Sequence, residues 1–185
     1  FSNSFYLSET LDNNIMTTRR EFLKKMGVMT ASGLVIPSIL TDNSLFARTV
    51  AANDQVNVAL IGCRSMGWAD LNDFLIHPEI NCIALCDIDR GILENRASEL
   101  VKRTNKKPEL YGDYRKLLDR KDIDAVIIGT PDHWHCLQLV DACSAGKDVY
   151  VEKPLANSIA ECDVMVAAAK KYNRVVQVGQ QQRSG

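Results

Sequence analysis

The sequence predicts an α/β domain with a doubly wound, mostly parallel sheet. From residue 56 onwards, runs rich in β-branched residues alternate with runs that have helical periodicity. The strand runs are almost wholly apolar, as at 124–128, which is expected of parallel strands covered by helices on both faces. Strands and helices that alternate at this spacing imply parallel pairing through right-handed crossovers.

The first strand and helix set the pattern for the rest. Residues 56–61 form a buried strand by composition and length, and this strand ends at Gly62. Apolar residues then recur at helical spacing from Gly67 until His77-Pro78 ends the helix. The other predicted strands cover 81–86, 125–128, 148–151 and 175–178, and the other predicted helices cover 91–103, 114–118, 133–145 and 158–172. Gly146 is a suitable C-terminal cap, and Asn157 or Ser158 a suitable N-terminal cap.

Residues 16–52 are predicted to be an export signal and not part of the fold. Met16 precedes the charged segment Thr-Thr-Arg-Arg-Glu-Phe-Leu-Lys, and the apolar stretch that follows is too short and broken for a membrane span of about 20 residues. The paired arginines resemble a twin-arginine signal, although an amphipathic helix with a basic start is the alternative. We expect cleavage after Ala52 or Ala47, a periplasmic location and no stable membrane insertion afterwards. Residues 1–15 are interpreted as an unstructured extension upstream of the true start.

Composition narrows the classes of ligand. The chain has 22 Lys and Arg against 23 Asp and Glu residues, and its charges are interspersed, so we expect no nucleic-acid binding. No metal site is expected, because His133 and His135 have no partners at ligand spacing. The six cysteines form no CxxC pair and are predicted to be free, mostly buried thiols. Cys82 and Cys86, four residues apart on one strand, should point to the same face of the sheet but lie too far apart to form a disulfide.

The turn after the first strand carries a glycine pattern typical of Rossmann-type dinucleotide-binding domains. The turn consists of Gly62, Cys63, Arg64, Ser65, Met66 and Gly67. It matches the G-x-G-x-x-G/A pattern at its first and third glycines, with Arg64 at the middle position. The first glycine permits a tight turn, the third permits close helix packing, and helix amides face the pyrophosphate. A generic strand-to-helix turn is the alternative interpretation.

Asp87 follows the second strand, where such domains place the acidic residue that binds the ribose 2′-hydroxyl. A carboxylate at that position repels a 2′-phosphate, so NAD is favoured over NADP as the cofactor. Arg90 is a nearby cation that could accommodate a 2′-phosphate, so use of both NAD and NADP stays an alternative. Asp87 could instead cap the next helix, but Asp89 is the stronger candidate for that structural role.

Polar, aromatic and ionisable residues follow two later predicted strands. Such side chains pack poorly in a hydrophobic core. The first group is Gly129-Thr130-Pro131-Asp132-His133-Trp134-His135, and the second is Glu152-Lys153-Pro154. Ligands of doubly wound sheets lie outside the carboxyl ends of the strands, so both groups are candidate site residues. Ordinary surface loops are the alternative for each group.

In combination, the motifs GCRSMG, CDID, GTPDHWH and EKP resemble those of the glucose-fructose oxidoreductase, inositol dehydrogenase and MocA family, over residues 53–185. The resemblance implies NAD(P)-dependent hydride transfer at a hydroxyl-bearing carbon of a sugar or cyclitol. It implies that Lys153, in a buried position beside the nicotinamide, polarises the reacting hydroxyl or relays its proton. Thr130, Pro131, His133 and His135 would line the nicotinamide and ribose side, Glu152 would orient that region, and a cis peptide would precede Pro154.

The chain departs from this family at its end. The second domain, which in the family supplies most sugar contacts and a further acid/base histidine, is not found after residue 185. We therefore expect this chain to bind NAD. The sequence does not determine whether the chain turns over a substrate, which sugar the enzyme uses, or whether the full-length form is a homo-oligomer. Two alternative functions remain: glycoside cleavage through transient sugar oxidation, and a noncatalytic nucleotide-binding fragment.

Overall fold

The computed structural model describes residues 55–180, in which six strands form one parallel sheet. The strands are β1 (Val56–Ile61), β2 (Ile80–Cys86), β3 (Glu109–Tyr111), β4 (Ala125–Ile128), β5 (Asp148–Glu152) and β6 (Val176–Gly179). The helices are α1 (Ser65–Phe74), α2 (Arg90–Thr104), α3 (Tyr114–Leu118), α4 (Asp132–Ser144) and α5 (Ile159–Tyr172). Their order in the sheet is β3-β2-β1-β4-β5-β6, with parallel pairing throughout. The predicted doubly wound α/β fold is confirmed.

Side chains at the helix ends explain where several helices begin and stop. The Asp89 carboxylate accepts hydrogen bonds from the amides of Gly91 and Ile92 at the start of α2. Ser158 and Glu161 form a reciprocal capping box at the start of α5, so Ser158, and not Asn157, is the N-cap. Asn105 and Asn173 end α2 and α5 in the left-handed conformation that short polar side chains tolerate.

The sheet separates two apolar core layers. One layer holds Val58 and Leu60 of β1 beneath α1 and α2, and the other holds Ala59 and Ile61 beneath the helices of the opposite face. The side chains of β4, at the centre of the sheet, contribute to both layers. Because both faces are covered, β1 and β4 can be almost wholly apolar, as the sequence predicts.

The prediction that Cys82 and Cys86 point to the same face of the sheet is wrong. The register of β2 against β1 shifts between Val58, which pairs with Cys82, and Ala59, which pairs with Ala84. This bulge adds one residue and reverses the alternation, so Cys82 packs in one core layer and Cys86 in the other. All six cysteines are free, as predicted, and burial raises the pKa of the Cys82 and Cys86 thiols to about 12.

Other predictions on element boundaries differ by small amounts. The strand β3 is absent from the prediction. The bounds of β1, β4 and α3 are as predicted, and the ends of the other strands and helices differ by about one to three residues. The predicted export signal at 16–52 and the extension at 1–15 lie outside the described residues. Within the described range, no helix is long and apolar enough to span a membrane.

Candidate functional site

Three glycines bring β1, α1 and β4 into backbone contact at the carboxyl edge of the sheet. Gly62 has φ +91°, and a Cβ placed on it would lie 2.7 Å from the carbonyl carbon of Gly129. A Cβ on Gly67 would lie 2.3 Å from the Gly62 oxygen, and one on Gly129 would lie 2.4 Å from the Gly67 Cα. Since the atoms that would clash are backbone atoms, these positions require glycine. The predicted roles of Gly62 and Gly67 in a tight turn and close helix packing are confirmed.

The N-terminus of α1 opens on this turn without a side-chain cap. Its N-cap residue is Arg64, and no side-chain hydrogen bond caps its first amides. By contrast, α2, α3 and α5 are capped by Asp89, Asp113 and Ser158 respectively. Uncapped amides at a helix N-terminus, reached through a glycine turn, are suited to binding a phosphate. The local structure therefore fits the pyrophosphate of a dinucleotide.

Asp87 lies beside the glycine turn and binds it directly. One carboxylate oxygen, Oδ2, accepts a hydrogen bond from the Cys63 amide at 2.8 Å, and Oδ1 accepts one from the Asp89 amide at 2.9 Å. Asp89, and not Asp87, caps α2, in agreement with the prediction. Each carboxylate oxygen can accept a second hydrogen bond, so Asp87 can hold the turn and still receive ribose hydroxyls.

Two arginines near Asp87 have different partners. The guanidinium of Arg64 pairs with Asp89, whose pKa is held below its usual range by the Ile92 amide and by this arginine. Arg90 pairs with Glu94 one turn along α2 at 2.8 Å. Arg64 is thus the cation within the glycine turn, Arg96 donates to the Cys63 oxygen of the turn at 3.3 Å, and Arg90 is engaged on the exposed surface of its own helix.

A cleft of about 590 Å³ runs along the carboxyl ends of the strands. Its lining comprises Ile61, Gly62, Arg64, Cys86, Asp87, Ile88, Gly112, Asp113, Tyr114, Arg115, Gly129, Thr130, Pro131, His133, Trp134 and Gln138. The cleft brings the glycine turn, Asp87 and the first residues after β4 together, as predicted. The wall at 112–115 was not predicted, because recognising it requires the short strand β3 that precedes it. In this wall the Tyr114 hydroxyl donates to Asp141 at 2.7 Å, and burial raises the pKa of Tyr114 to about 12.

The segment after β4 is fixed by two side chains of α4. The Thr130 hydroxyl donates to Gln138 Oε1 at 2.6 Å. His135 is 1% exposed, and its ring nitrogens lie 2.7 Å from the Thr130 oxygen and 2.9 Å from the Pro154 oxygen. The structure therefore places His135 beneath the loops, where it joins the segments that follow β4 and β5, whereas Thr130, Pro131 and His133 line the cleft. Gln138 is a supporting residue that the sequence motifs did not reveal.

The segment after β5 lies beside the cleft. Among the described residues that line the cleft, none belongs to 152–154. Glu152 is buried, and the peptide between Lys153 and Pro154 is cis, as the resemblance implied. Lys153 itself is exposed, which corrects the expectation of a buried position. The reason is its place at the open carboxyl edge of the sheet, where the described residues provide no cover.

Potential metal ligands do not cluster within residues 55–180: no group of three or more His, Cys, Asp or Glu side chains could hold an ion there. The uncapped N-terminus of α1, the glycine turn and the carboxylate of Asp87 instead fit a nucleotide site. A parallel sheet with this strand order and these features defines a dinucleotide-binding domain.

The chain belongs to the oxidoreductase family with an NAD-binding Rossmann fold that includes glucose-fructose oxidoreductase, inositol dehydrogenase and MocA. The family model matches residues 56–180. The domain is thus an NAD-binding Rossmann domain, and the cofactor predicted from the sequence, NAD, is confirmed at the level of the family.

Individual relatives agree with this assignment. The chain is 32% identical over 173 residues to "Glycosyl hydrolase family 109 protein 1" of Shewanella sp. strain ANA-3, covering 84% of this chain and 38% of that protein. The WlbA dehydrogenase of Chromobacterium violaceum, solved with NADH and UDP-GlcNAcA, is 28% identical with a TM-score of 0.63, covering 72% of this chain and 37% of that one. The myo-inositol 2-dehydrogenase of Lactobacillus plantarum is 27% identical with a TM-score of 0.64, covering 71% and 38% respectively. The chain therefore spans well under half the length of these relatives.

Proposed function

We propose that the protein carrying this domain transfers a hydride between a nicotinamide cofactor and a hydroxyl-bearing carbon of a sugar or cyclitol. The observation that carries the cofactor part is the hydrogen bond between the Cys63 amide and Asp87, which joins the glycine turn to the carboxylate within one cleft. The substrate class is supported by the solved relatives, one bound to UDP-GlcNAcA and one named as an inositol dehydrogenase.

The bound dinucleotide would supply the hydride acceptor or donor, and the residues of this chain would bind and orient it. The first amides of α1 would face the pyrophosphate. Asp87 would accept the ribose hydroxyls, which favours NAD over NADP because a carboxylate repels a 2′-phosphate. Thr130, Pro131 and His133 would lie along the remaining length of the cofactor.

Lys153 would act on the substrate. An exposed ammonium group at the open edge of the sheet is free to meet a hydroxyl presented from outside the domain, and a lysine can hold or release the proton of that hydroxyl. Glu152 is buried, and the carbonyl oxygen of Pro154 lies 2.9 Å from the His135 ring, so the two neighbours of Lys153 would fix the backbone from which it projects.

Calorimetry with NAD tests the cofactor site on the 185-residue chain. Asp87→Ala removes the proposed acceptor of the ribose hydroxyls, and we expect NAD affinity to fall about 10- to 100-fold, the range of a hydrogen bond to a charged group. Asp163→Ala, which removes an exposed carboxylate from the middle of α5, is the matched control and should bind like the parent chain. A correctly folded parent chain with no affinity for either nicotinamide dinucleotide would refute the proposal.

Glycoside cleavage through transient oxidation of the sugar is the second candidate, since the curated relative quoted above is named a glycosyl hydrolase. The same NAD domain would serve that reaction, with the cofactor recycled in each turnover. The complete enzyme distinguishes the two candidates. Net formation of NADH from a sugar or cyclitol supports the dehydrogenase, whereas release of an aglycone without net NADH supports the glycosidase.

We also propose that residues 16–52 direct export to the periplasm by the twin-arginine route. The Arg19-Arg20 pair and the modest apolar stretch after it support this proposal. A reporter joined to residues 16–52 should reach the periplasm, and replacement of both arginines by lysine should retain it in the cytoplasm. Equal export of the two reporters would contradict the twin-arginine assignment.

A further inference from the structure

We propose that the Arg64–Asp89 ion pair is a second determinant of cofactor choice, which keeps the Arg64 cation from recruiting the 2′-phosphate of NADP. The proposal rests on the dinucleotide site described above. It assigns Asp89 a role in specificity that is separate from the ribose-binding role of Asp87.

The Asp89 carboxylate is held rigidly enough to fix its partner. Its Oδ1 accepts hydrogen bonds from the Gly91 and Ile92 amides at 3.0 and 3.2 Å, so the group is anchored to the N-terminus of α2. Its Oδ2 is left for the Arg64 guanidinium, which it binds in an ion pair. Asp89 thus joins the start of α2 to the residue at the middle of the glycine turn.

The Arg64 side of the ion pair lines the cleft at the end that is assigned to the adenosine ribose. Asp87 lies next to the pair, because its two oxygens accept hydrogen bonds from the backbone amides of Asp89 and of Cys63, the residue before Arg64. Arg64, Asp87 and Ile88 all line the cleft. A phosphate on the ribose 2′-oxygen would therefore meet Asp87 and Arg64, and Asp89 would act on it through its ion pair with Arg64.

The charges at this point decide which dinucleotide is favoured. With both carboxylates ionised, Asp87, Asp89 and Arg64 sum to one negative charge, which opposes a phosphate. A guanidinium is a strong bidentate phosphate ligand when it is available, but here its Nη2 group donates to the Asp89 carboxylate, which also neutralises its charge. Neutralising Asp89 would release Arg64 and leave the three groups without net charge. The side chains of the pair are 63% and 42% exposed, so solvent and salt moderate the effect.

Arg90, the cation that follows Asp89 in the sequence, provides the matched control. It pairs with Glu94, its side chain is 89% exposed, and it is not among the described residues that line the cleft. If general positive charge near the loop determined NADP binding, Arg90 would matter as much as Arg64. The proposal requires that only Arg64 matters.

The experiment is calorimetry of the 185-residue chain with NAD and with NADP at low salt. Asp89→Asn removes the charge but retains a side-chain oxygen to cap α2, since asparagine is an equally good N-cap residue. We expect NADP affinity to rise about 5-fold, as for the strongest exposed ion pairs, with NAD affinity unchanged within about 2-fold. Adding Arg64→Gln to Asp89→Asn should abolish the gain, whereas adding Arg90→Gln should preserve it.

The outcomes separate this inference from the proposed function. An unchanged ratio of NADP to NAD affinity in Asp89→Asn overturns the inference while NAD binding stands. A gain that survives Arg64→Gln overturns it as well, since the released cation would then not be the cause. Failure of the parent chain to bind either dinucleotide removes the proposed function and this inference together.

Discussion

Gly67→Ala is expected to lower the free energy of unfolding by about 3 kcal/mol or more, the upper range for overpacking of a rigid site. The added Cβ would lie 2.3 Å from the Gly62 oxygen and 3.1 Å from the Gly129 Cα, so either α1 or the turn must move. Because the first amides of α1 move with the helix, NAD affinity should fall too. Urea denaturation followed by circular dichroism measures the first effect, and calorimetry measures the second.

Gly112→Ala is the matched control for this substitution. Gly112 also lines the cleft, but a Cβ placed on it would meet no atom within 4 Å. We expect its stability to stay within about 0.5 kcal/mol of the parent chain, as is usual for surface substitutions. If Gly67→Ala were as stable as Gly112→Ala, the close approach of the three glycines would not be the feature that holds the turn.

Lys153→Ala is expected to reduce kcat of the complete enzyme about 10²- to 10⁴-fold, the usual contribution of one general acid or base. NAD affinity should change by no more than about 3-fold, because residues 152–154 are not among the described residues that line the cleft. The reason for the difference is that the side chain would act on the substrate hydroxyl and not on the dinucleotide. Steady-state kinetics and calorimetry on the same preparation measure the two quantities.

Two further variants distinguish proton transfer by Lys153 from a role of its positive charge alone. Lys153→Arg keeps the positive charge but cannot release a proton near neutral pH, so kcat should remain low if proton relay is the role. Lys170→Ala removes an exposed lysine from α5 and should leave both quantities unchanged. Equal losses of turnover and NAD affinity in Lys153→Ala would contradict the assigned role.

Much of the fold could be predicted because its signals are local. The apolar run of β4, the glycine turn and the Ser158 cap each follow from the residue types at successive positions. Asp87 could be placed for the same reason, since the end of the preceding strand β2 fixes where its carboxylate emerges at the edge of the sheet.

The features that could not be predicted depend on tertiary structure. The strand β3 has three residues, too few to show alternation, and it is recognisable only by its pairing with β2. The bulge near Cys82 is set by the register between β1 and β2, which the sequence of β2 alone does not encode. Gly129 looked like a strand terminus, and its close contact with Gly67 appears only when β4 lies next to β1.

One buried ring has a consequence for movement at the site. His135 lies between the carbonyl oxygens of Thr130 and Pro154, so a single imidazole ties the segment along the cofactor to the segment that presents Lys153. Any displacement of one segment must move the ring or break one of these two contacts. The distance between the nicotinamide and the Lys153 side chain would therefore depend on the position of one buried imidazole.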